Sequence, residues 1–347
     1  MAQRPTVKDV ADEAGVSLAT VSLVLNGKVG VGPETRQRVQ IAIDRLGYQR
    51  RGQRLVIGLL LERLSVPAYS DPLVSLMIHG AEIEASRHGY HVLLASVESG
   101  ISQLPAMVLE QQVGGLLAVS GGDLSDAYIR VLVEAGLPLV LLDNYVNGLM
   151  VPCVLGDNTT GAYLATRHLI DLGHERIALI EGPRKYKTLG DRRQGYLAAM
   201  DEAGLPIDPA LMIKPAHSGA RKGELEMREL LSLPAARQPT AVFAISDKTA
   251  LGALDAARVG GLRVPDDMAL IGFDDVVAES AQVTPALTTV RLPAHAMGEV
   301  AVQRLVGLIE GAGAAPNKTV LYTELIIRQS SGAPRPVSVA LAHNGKE

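Results

Sequence analysis

From Leu55 onward, seven apolar runs alternate with segments of helical spacing, and this alternation limits the fold more than any other feature of the chain. The runs are "LVIGLLL" (55–61), "YHVLLAS" (90–96), "GGLLAVS" (114–120), "PLVLLD" (138–143), "RIALIEG" (176–182), "TAVFAIS" (240–246) and "MALIGFD" (268–274). Each reads as a strand buried on both faces. Between them, 73–88, 125–135, 159–172, 190–203 and 247–260 carry apolar residues at helical intervals. Strand–helix alternation of this kind predicts parallel sheets with helices on both faces. So many strands fit two sheets of ordinary width better than one very wide sheet. The fold class expected is therefore an α/β core of two doubly wound parallel-sheet lobes, with "DNYVNGLMVPCVLGDN" (143–158) as the first crossover. Two such lobes leave a cleft at the carboxyl ends of the strands, where a small ligand fits.

The totals exclude several classes. No apolar run approaches the ~20 residues of a membrane span, and the N-terminus "MAQRPTVKDV" lacks a secretion signal, so no membrane partner is expected. A single cysteine, Cys153, rules out an internal disulfide framework and suits a reducing compartment, the cytoplasm. The net charge of −4 hides an asymmetry: residues 1–54 hold nine Lys/Arg against five Asp/Glu, and the rest of the chain 24 against 32. A basic N-terminal piece on an acidic body is expected where only that piece meets nucleic acid.

The first 54 residues break the alternation. Thr6 and Asp9 make a capping-box start. Val10, Ala11 and Ala14 form one apolar stripe, and Gly15 fits a left-handed stop. Ser17 caps a second helix with Val21, Val24 and Leu25 inward and Ala19, Ser22, Leu23 and Asn26 outward. A third helix starts at Pro33 and Glu34, with Val39, Ile43 and Leu46 inward. Helix, tight turn and an exposed second helix form the arrangement that reads DNA; a plain helical cap or dimerisation element is the alternative.

Together these residues resemble a known family. "TVKDVADEAGVSLATVSLVLNG" and "ETRQRVQIAIDRLGY" are similar to the headpiece of the lactose/galactose repressor (LacI–GalR) family. The resemblance continues through "LIDLGHERIALIEGP", "DRRQGYLAAM", "PTAVFAISDKTALGALDAARVGGLRVPDDMALIGFDD" and "TPALTTVR", covering residues 6 to about 330. It implies a helix-turn-helix headpiece (1–48), a short basic linker (49–54) and an effector-binding, dimerising core (55–332) like periplasmic sugar-binding proteins. Within the core, one lobe spans about 55–157 and 290–318, the other about 158–289 and 319–332; residues 333–347 form a tail expected to fray. The implied partners are double-stranded operator DNA, a small-molecule effector and a second copy of the chain. Repression is the commoner behaviour of the family, and no cofactor is implied.

By the same resemblance, Leu18, Ala19 and Leu23 occupy base-reading positions, and Thr6, Ser17, Thr20, Ser22, Asn26, Thr35 and Arg36 contact or position phosphates. Leu23 stands where an arginine is frequent. Apolar side chains cannot bond a guanine edge but can touch thymine methyls; packing on the headpiece rim is the other use for Leu23. For the effector, Asp71 and Pro72 match the turn before the first core helix, and Leu73 and Val74 take two positions that are usually aromatic. Asp157, Arg192 and Asp274 match polar cleft positions, with Ser120, Asn144, Tyr186, Thr188, Ser246 and either His217 or Ser218 as wall residues. Arg192 offers a donor fork and the aspartates accept from hydroxyls or amines, which suits a sugar, sugar acid or nucleoside-like ligand. Asp247 reads as a helix N-cap.

The rival readings are an enzyme or a secreted binding protein on the same core. No G-x-G-x-x-G after a strand, no P-loop and no nucleophile elbow occur, and a secreted protein has no use for a basic three-helix headpiece. The family's headpiece is followed by a hinge helix that wedges leucines into the minor groove. "QRRGQRLV" (49–56) is too short for that helix, so little central kinking of the operator is expected. Arg50, Arg51 and Arg54 are instead expected along phosphates or in a narrow minor groove, or as a solvated linker.

Overall fold

The computed structural model describes residues 5–25, 30–46, 55–62, 71–98, 103–119, 124–215, 222–275, 281–311 and 315–332. Three helices open the chain: α1 (Val7–Ala14), α2 (Leu18–Leu25) and α3 (Pro33–Leu46). Thr6 and Asp9 form the expected capping box, and Gly15 closes α1 at φ 63°. Val10, Ala11, Ala14, Val21, Val39 and Ala42 form the small core, with Val24, Leu25, Ile43 and Leu46 packed against it. Arg38 on α3 donates to the carbonyls of Ala14 and Gly15 (2.6 and 3.1 Å), so it satisfies the open end of α1 and pins the turn.

The first sheet contains β1 (Val56–Glu62), β2 (His91–Val97), β3 (Gly115–Val119), β4 (Leu139–Leu142), β5 (Cys153–Gly156) and β11 (Lys318–Leu321). Their order is β11-β5-β4-β3-β1-β2, all parallel. Helices α4 (Pro72–Arg87) and α11 (Ala294–Ile309) cover one face, and α5 (Ala106–Leu109) and α6 (Asp126–Glu134) the other. The alternation along β1 shows both contacts: Ile57, Leu59 and Leu61 meet Met77, Ala81 and Met297, while Leu60 joins Met107, Leu116 and Ile129.

The second sheet has β6 (Ile177–Ile180), β7 (Met212–Ile213), β8 (Ala241–Ala244) and β9 (Ala269–Ile271) in the order β7-β6-β8-β9, also parallel. Helices α7 (Asn158–Asp171) and α8 (Lys187–Glu202) pack on one face, α9 (Glu224–Leu231) and α10 (Asp247–Val259) on the other. The strands β10 (Thr289–Arg291) and β12 (Glu324–Ile326) pair antiparallel to each other.

All seven predicted strands form, with three departures from expectation. The stretch 143–158 is not simply a crossover, because Cys153–Gly156 is a strand hydrogen-bonded between β4 and β11; its burial on both faces needs only four residues, which Asn, Gly and Pro on either side conceal. The strand β2 is not buried on both faces: it is the sheet edge, and Leu93 and Leu94 are 37% and 41% exposed. The last return between the sheets falls after Leu321 rather than at 318, since Lys318–Leu321 pairs in the first sheet.

Candidate functional site

Two surfaces gather the predicted residues. The first is the outer side of α2. Ser17 accepts from Thr20 N at 3.0 Å and its hydroxyl lies 2.8 Å from that of Thr20, so both hold the start of the helix. Beyond them Leu18 is 53% and Leu23 38% exposed, with Ala19 and Ser22 also open. Water is in contact with apolar side chains here, which is costly unless a ligand covers them. Thr6 is exposed and engaged with Asp9, whose carboxyl this hydroxyl holds below its usual range. Thr35 and Arg36, at the start of α3, are half-buried. Asn26, Arg50, Arg51 and Arg54 lie outside the described residues, as does the linker to which the last three belong.

The second surface lies at the carboxyl ends of the strands, with Arg192 of α8 at its centre. Only 2% of Arg192 is exposed. Its Nε donates to Asn158 Oδ1 (2.8 Å) and Nη1 to the Ile245 carbonyl (2.7 Å). Its Nη2 lies 2.8 Å from Asp274 Oδ1, an attraction of charges without an aligned hydrogen bond. The guanidinium carbon sits 3.8 Å from the centroid of the Phe273 ring. Two donors and the charge of Arg192 are thus engaged by the protein itself.

Carboxylates crowd this cation. Burial pushes Asp274 up to about 8; Arg192 pulls it down, while Asp247 and Asp71 push it further up. Asp143, at the end of β4, is pushed up to about 7 by burial, again with Arg192 opposing and Asp191 and Asp71 reinforcing. Burial also raises Asp191. Both Asp143 (φ 55°) and Asp274 (φ 122°) sit in backbone regions that favour glycine, a strain that persists only where surroundings fix it. The buried Asp143 Oδ1 and Asn144 Nδ2 have no hydrogen-bond partner, leaving one acceptor and one donor side by side.

The remaining wall residues separate into two groups. Thr188 is buried beside Arg192 on α8, and Tyr186 precedes that helix with Lys185 Nζ 5.1 Å from its ring centroid. Ser246 caps α10 by accepting from Thr249 N at 3.3 Å, and it lines a recess with Gly182, Leu189 and Lys222 at the ends of β6 and β8. That is the topological switch point of the second sheet. By contrast, Asp157 is spent on capping α7 (Thr160 N, 3.0 Å) and Asp71 on capping α4 (Leu73 N, 3.0 Å). Leu73 and Val74 are half-buried against the core. Ser120, His217 and Ser218 lie outside the described residues. The cap of α10 is Ser246, not Asp247: Asp247 is buried and accepts from Asp275 N (2.9 Å) and from the Thr289 hydroxyl, ties that the sequence does not reveal.

Asp143, Asn158 and Asp191 were not anticipated. Their only signal is position immediately after a buried strand or at a helix start, which many structural residues share.

Known proteins with both surfaces supply the context. Residues 6–51 match the family model of bacterial regulatory proteins, lacI family, and 166–331 match a periplasmic binding protein-like domain. The chain is 36% identical over 343 residues to the HTH-type transcriptional regulator MalR of Streptomyces coelicolor, covering 94% of this chain and 96% of that protein. It is 34% identical to the HTH-type transcriptional repressor CytR of Escherichia coli, over 94% of this chain and 96% of that one. The solved complex of the transcriptional regulator CelR with cellobiose superposes with a TM-score of 0.74 at 34% identity, covering 94% of this chain and all of that chain. The lac repressor dimer bound to operator gives 0.69 at 26% identity over 95% of this chain and 99% of that one. The chain therefore belongs to the lacI family of bacterial regulatory proteins: it is a DNA-binding transcriptional regulator and not an enzyme.

Proposed function

We propose that the chain is a repressor whose operator affinity is set by a neutral, hydroxyl-rich effector held between the lobes. It acts in the cytoplasm, as a homodimer with one headpiece on each half of a near-palindromic operator. The headpiece is residues 1–48, the linker 49–54 and the effector core 55–332. Leu18, Ala19 and Leu23 read thymine methyls, while Thr6, Ser17, Thr20, Ser22, Asn26, Thr35 and Arg36 position the phosphates, with Arg50, Arg51 and Arg54 of the linker adding charge.

The observation that carries the effector class is the excess of acceptors around Arg192. Its Nε and Nη1 donate to Asn158 and Ile245, its Nη2 faces Asp274, and the unpartnered Asp143 Oδ1 adds a further acceptor. Carboxylates that outnumber the cation favour hydroxyl donors over an anionic ligand. Leu73 and Val74 offer no stacking face, and the Phe273 ring faces Arg192, which speaks against a nucleobase. The CelR complex with cellobiose supports a sugar. Dimerisation is supported by the exposed Leu93 and Leu94 on the edge strand β2 and Leu76 on α4.

The test is operator binding by fluorescence anisotropy, followed by titration with cellobiose, maltose, gluconate and cytidine. A neutral sugar should change operator affinity at least tenfold, within the usual 5–150-fold coupling range of about 1–3 kcal/mol. A response to gluconate or cytidine alone would reject the effector class. Sequence-independent DNA binding would reject the regulator mechanism.

A further inference from the structure

Helix α8 is tied to the opposite lobe by contacts of Tyr145 and Lys187, neither of them a residue of the effector wall. Tyr145, in the loop after β4, donates its hydroxyl to Asp191 Oδ1 at 2.9 Å. Lys187, one helical turn before Asp191, donates to the Tyr145 carbonyl and to Asp126 at the start of α6. The Tyr145 ring has Lys187 Nζ 5.5 Å and Lys318 Nζ, from β11, 4.6 Å from its centroid. Positions 187 and 191 share one helix face at i, i+4. The next positions, Thr188 and Arg192, are buried in the cleft. A movement of α8 that breaks the Tyr145 contacts therefore displaces Arg192 with it.

We propose that Tyr145 is a positioning residue: with Asp191 and Lys187 it braces α8 against the first lobe and holds the cleft at its ligand-ready spacing before the effector arrives. The inference rests on the effector role of the cleft. Its physical basis is threefold. A hydrogen bond to a carboxylate is stronger than a neutral one. Lysines facing a tyrosine ring add an attraction that grows as water is excluded. Burial and the Asp191 contact push the Tyr145 hydroxyl well above its ordinary value, so it remains a donor at physiological pH. If the brace sets the fraction of protein already in the ligand-ready form, losing it lowers apparent effector affinity by that same fraction.

The single cysteine, Cys153, is buried, so distance labels can be placed at will. In a Cys153→Ser background, Leu109→Cys on the first lobe and Val259→Cys on the second, both widely exposed, report the lobe spacing of the full-length protein by spin-label distance measurement. Without ligand, Tyr145→Phe and Lys187→Met are expected to lengthen and broaden that distance. Both should weaken cellobiose binding about tenfold, the loss expected for one hydrogen bond to a charged acceptor. Asp191→Ala, which removes the acceptor, should lengthen the ligand-free distance as Tyr145→Phe does. A ligand-free distance unchanged in both Tyr145→Phe and Lys187→Met overturns the brace. Arg192→Gln separates the two ideas: cellobiose should no longer shift the distance in that variant. If cellobiose shifts it regardless, or never shifts the parent, the effector reading fails while the ligand-free distances still decide the brace.

Discussion

The outer face of α2 and the cleft wall around Arg192 are opposite solutions to recognition. On the outer face of α2 two leucines stand in water: Leu18 is 53% and Leu23 38% exposed, and neither has a polar partner to give up. In the cleft the side chains are polar and buried: Arg192 is held by Asn158, Ile245 and Asp274, while Asp143 Oδ1 and Asn144 Nδ2 stand without partners, so a ligand both exchanges partners and meets idle ones. The first surface adds contacts when it binds. The second redistributes them, which makes it suited to coupling ligand binding to a change of shape.

The sharpest challenge to this contrast is removal of Arg192. Above about pH 8, where Asp274 carries its charge, Arg192→Leu should leave that charge buried and unpaired and cost about 3–5 kcal/mol of stability, as expected for breaking a buried ion pair. Thermal and urea unfolding measure it; a loss below about 1 kcal/mol would mean that Asp274 simply stays protonated. Next in size is the salt dependence of operator binding. With about ten phosphate contacts per dimer, the log–log slope should lie near −9, and alanine at Arg50, Arg51 and Arg54 should flatten it. No flattening would return these arginines to a solvated linker.

The buried carboxylates make the cleft, unlike α2, sensitive to pH. Asp143 and Asp274 titrate near about 7 and about 8 when folded, against 3.8 ordinarily. Between pH 4 and pH 8 the folded chain holds protons that the unfolded chain has released. Their contribution to stability therefore falls as pH rises through that window and levels off above it. The slope is on the order of 1 kcal/mol per pH unit for each group. Asp143→Asn should flatten the portion below about 7 in denaturation series run across pH. The smallest effect belongs to α2: Leu23→Arg should shift operator preference toward a guanine by about 1–3 kcal/mol, read from binding to single-base operator variants. An unchanged preference would place Leu23 on the headpiece rim.

The headpiece was almost wholly legible because its determinants are local. Thr6 with Asp9, the Gly15 stop and the inward stripe of α2 lie within a few residues of one another and follow the helical period. Only Arg38, which reaches back 24 and 23 residues to the α1 carbonyls, lay beyond that logic. The seven predicted strands of the core were legible for the same reason; Cys153–Gly156, Met212–Ile213, Thr289–Arg291, Lys318–Leu321 and Glu324–Ile326 were not, being too short to stand out from their surroundings. The cleft was legible only where a resemblance pointed, at Arg192 and Asp274. Asn158, Asp191 and Asp143 acquire their importance from partners 34 to 49 residues away, and no spacing in the sequence encodes such pairs.

The position of β11 also has a consequence for how the protein is made. Synthesis runs from the N-terminus, and domains fold as their residues emerge. Every strand of the second sheet has been translated by Ile271, yet the first lobe still lacks its helix Ala294–Ile309 and its last strand Lys318–Leu321. The lobe begun first is thus still open when the strands of the second sheet are all made. A ribosome stalled between these points carries a complete headpiece and a complete second sheet, joined to a first lobe whose core face and β5 edge are still open. In that interval the nascent chain can fold its DNA-reading unit while it has no finished cleft to answer an effector.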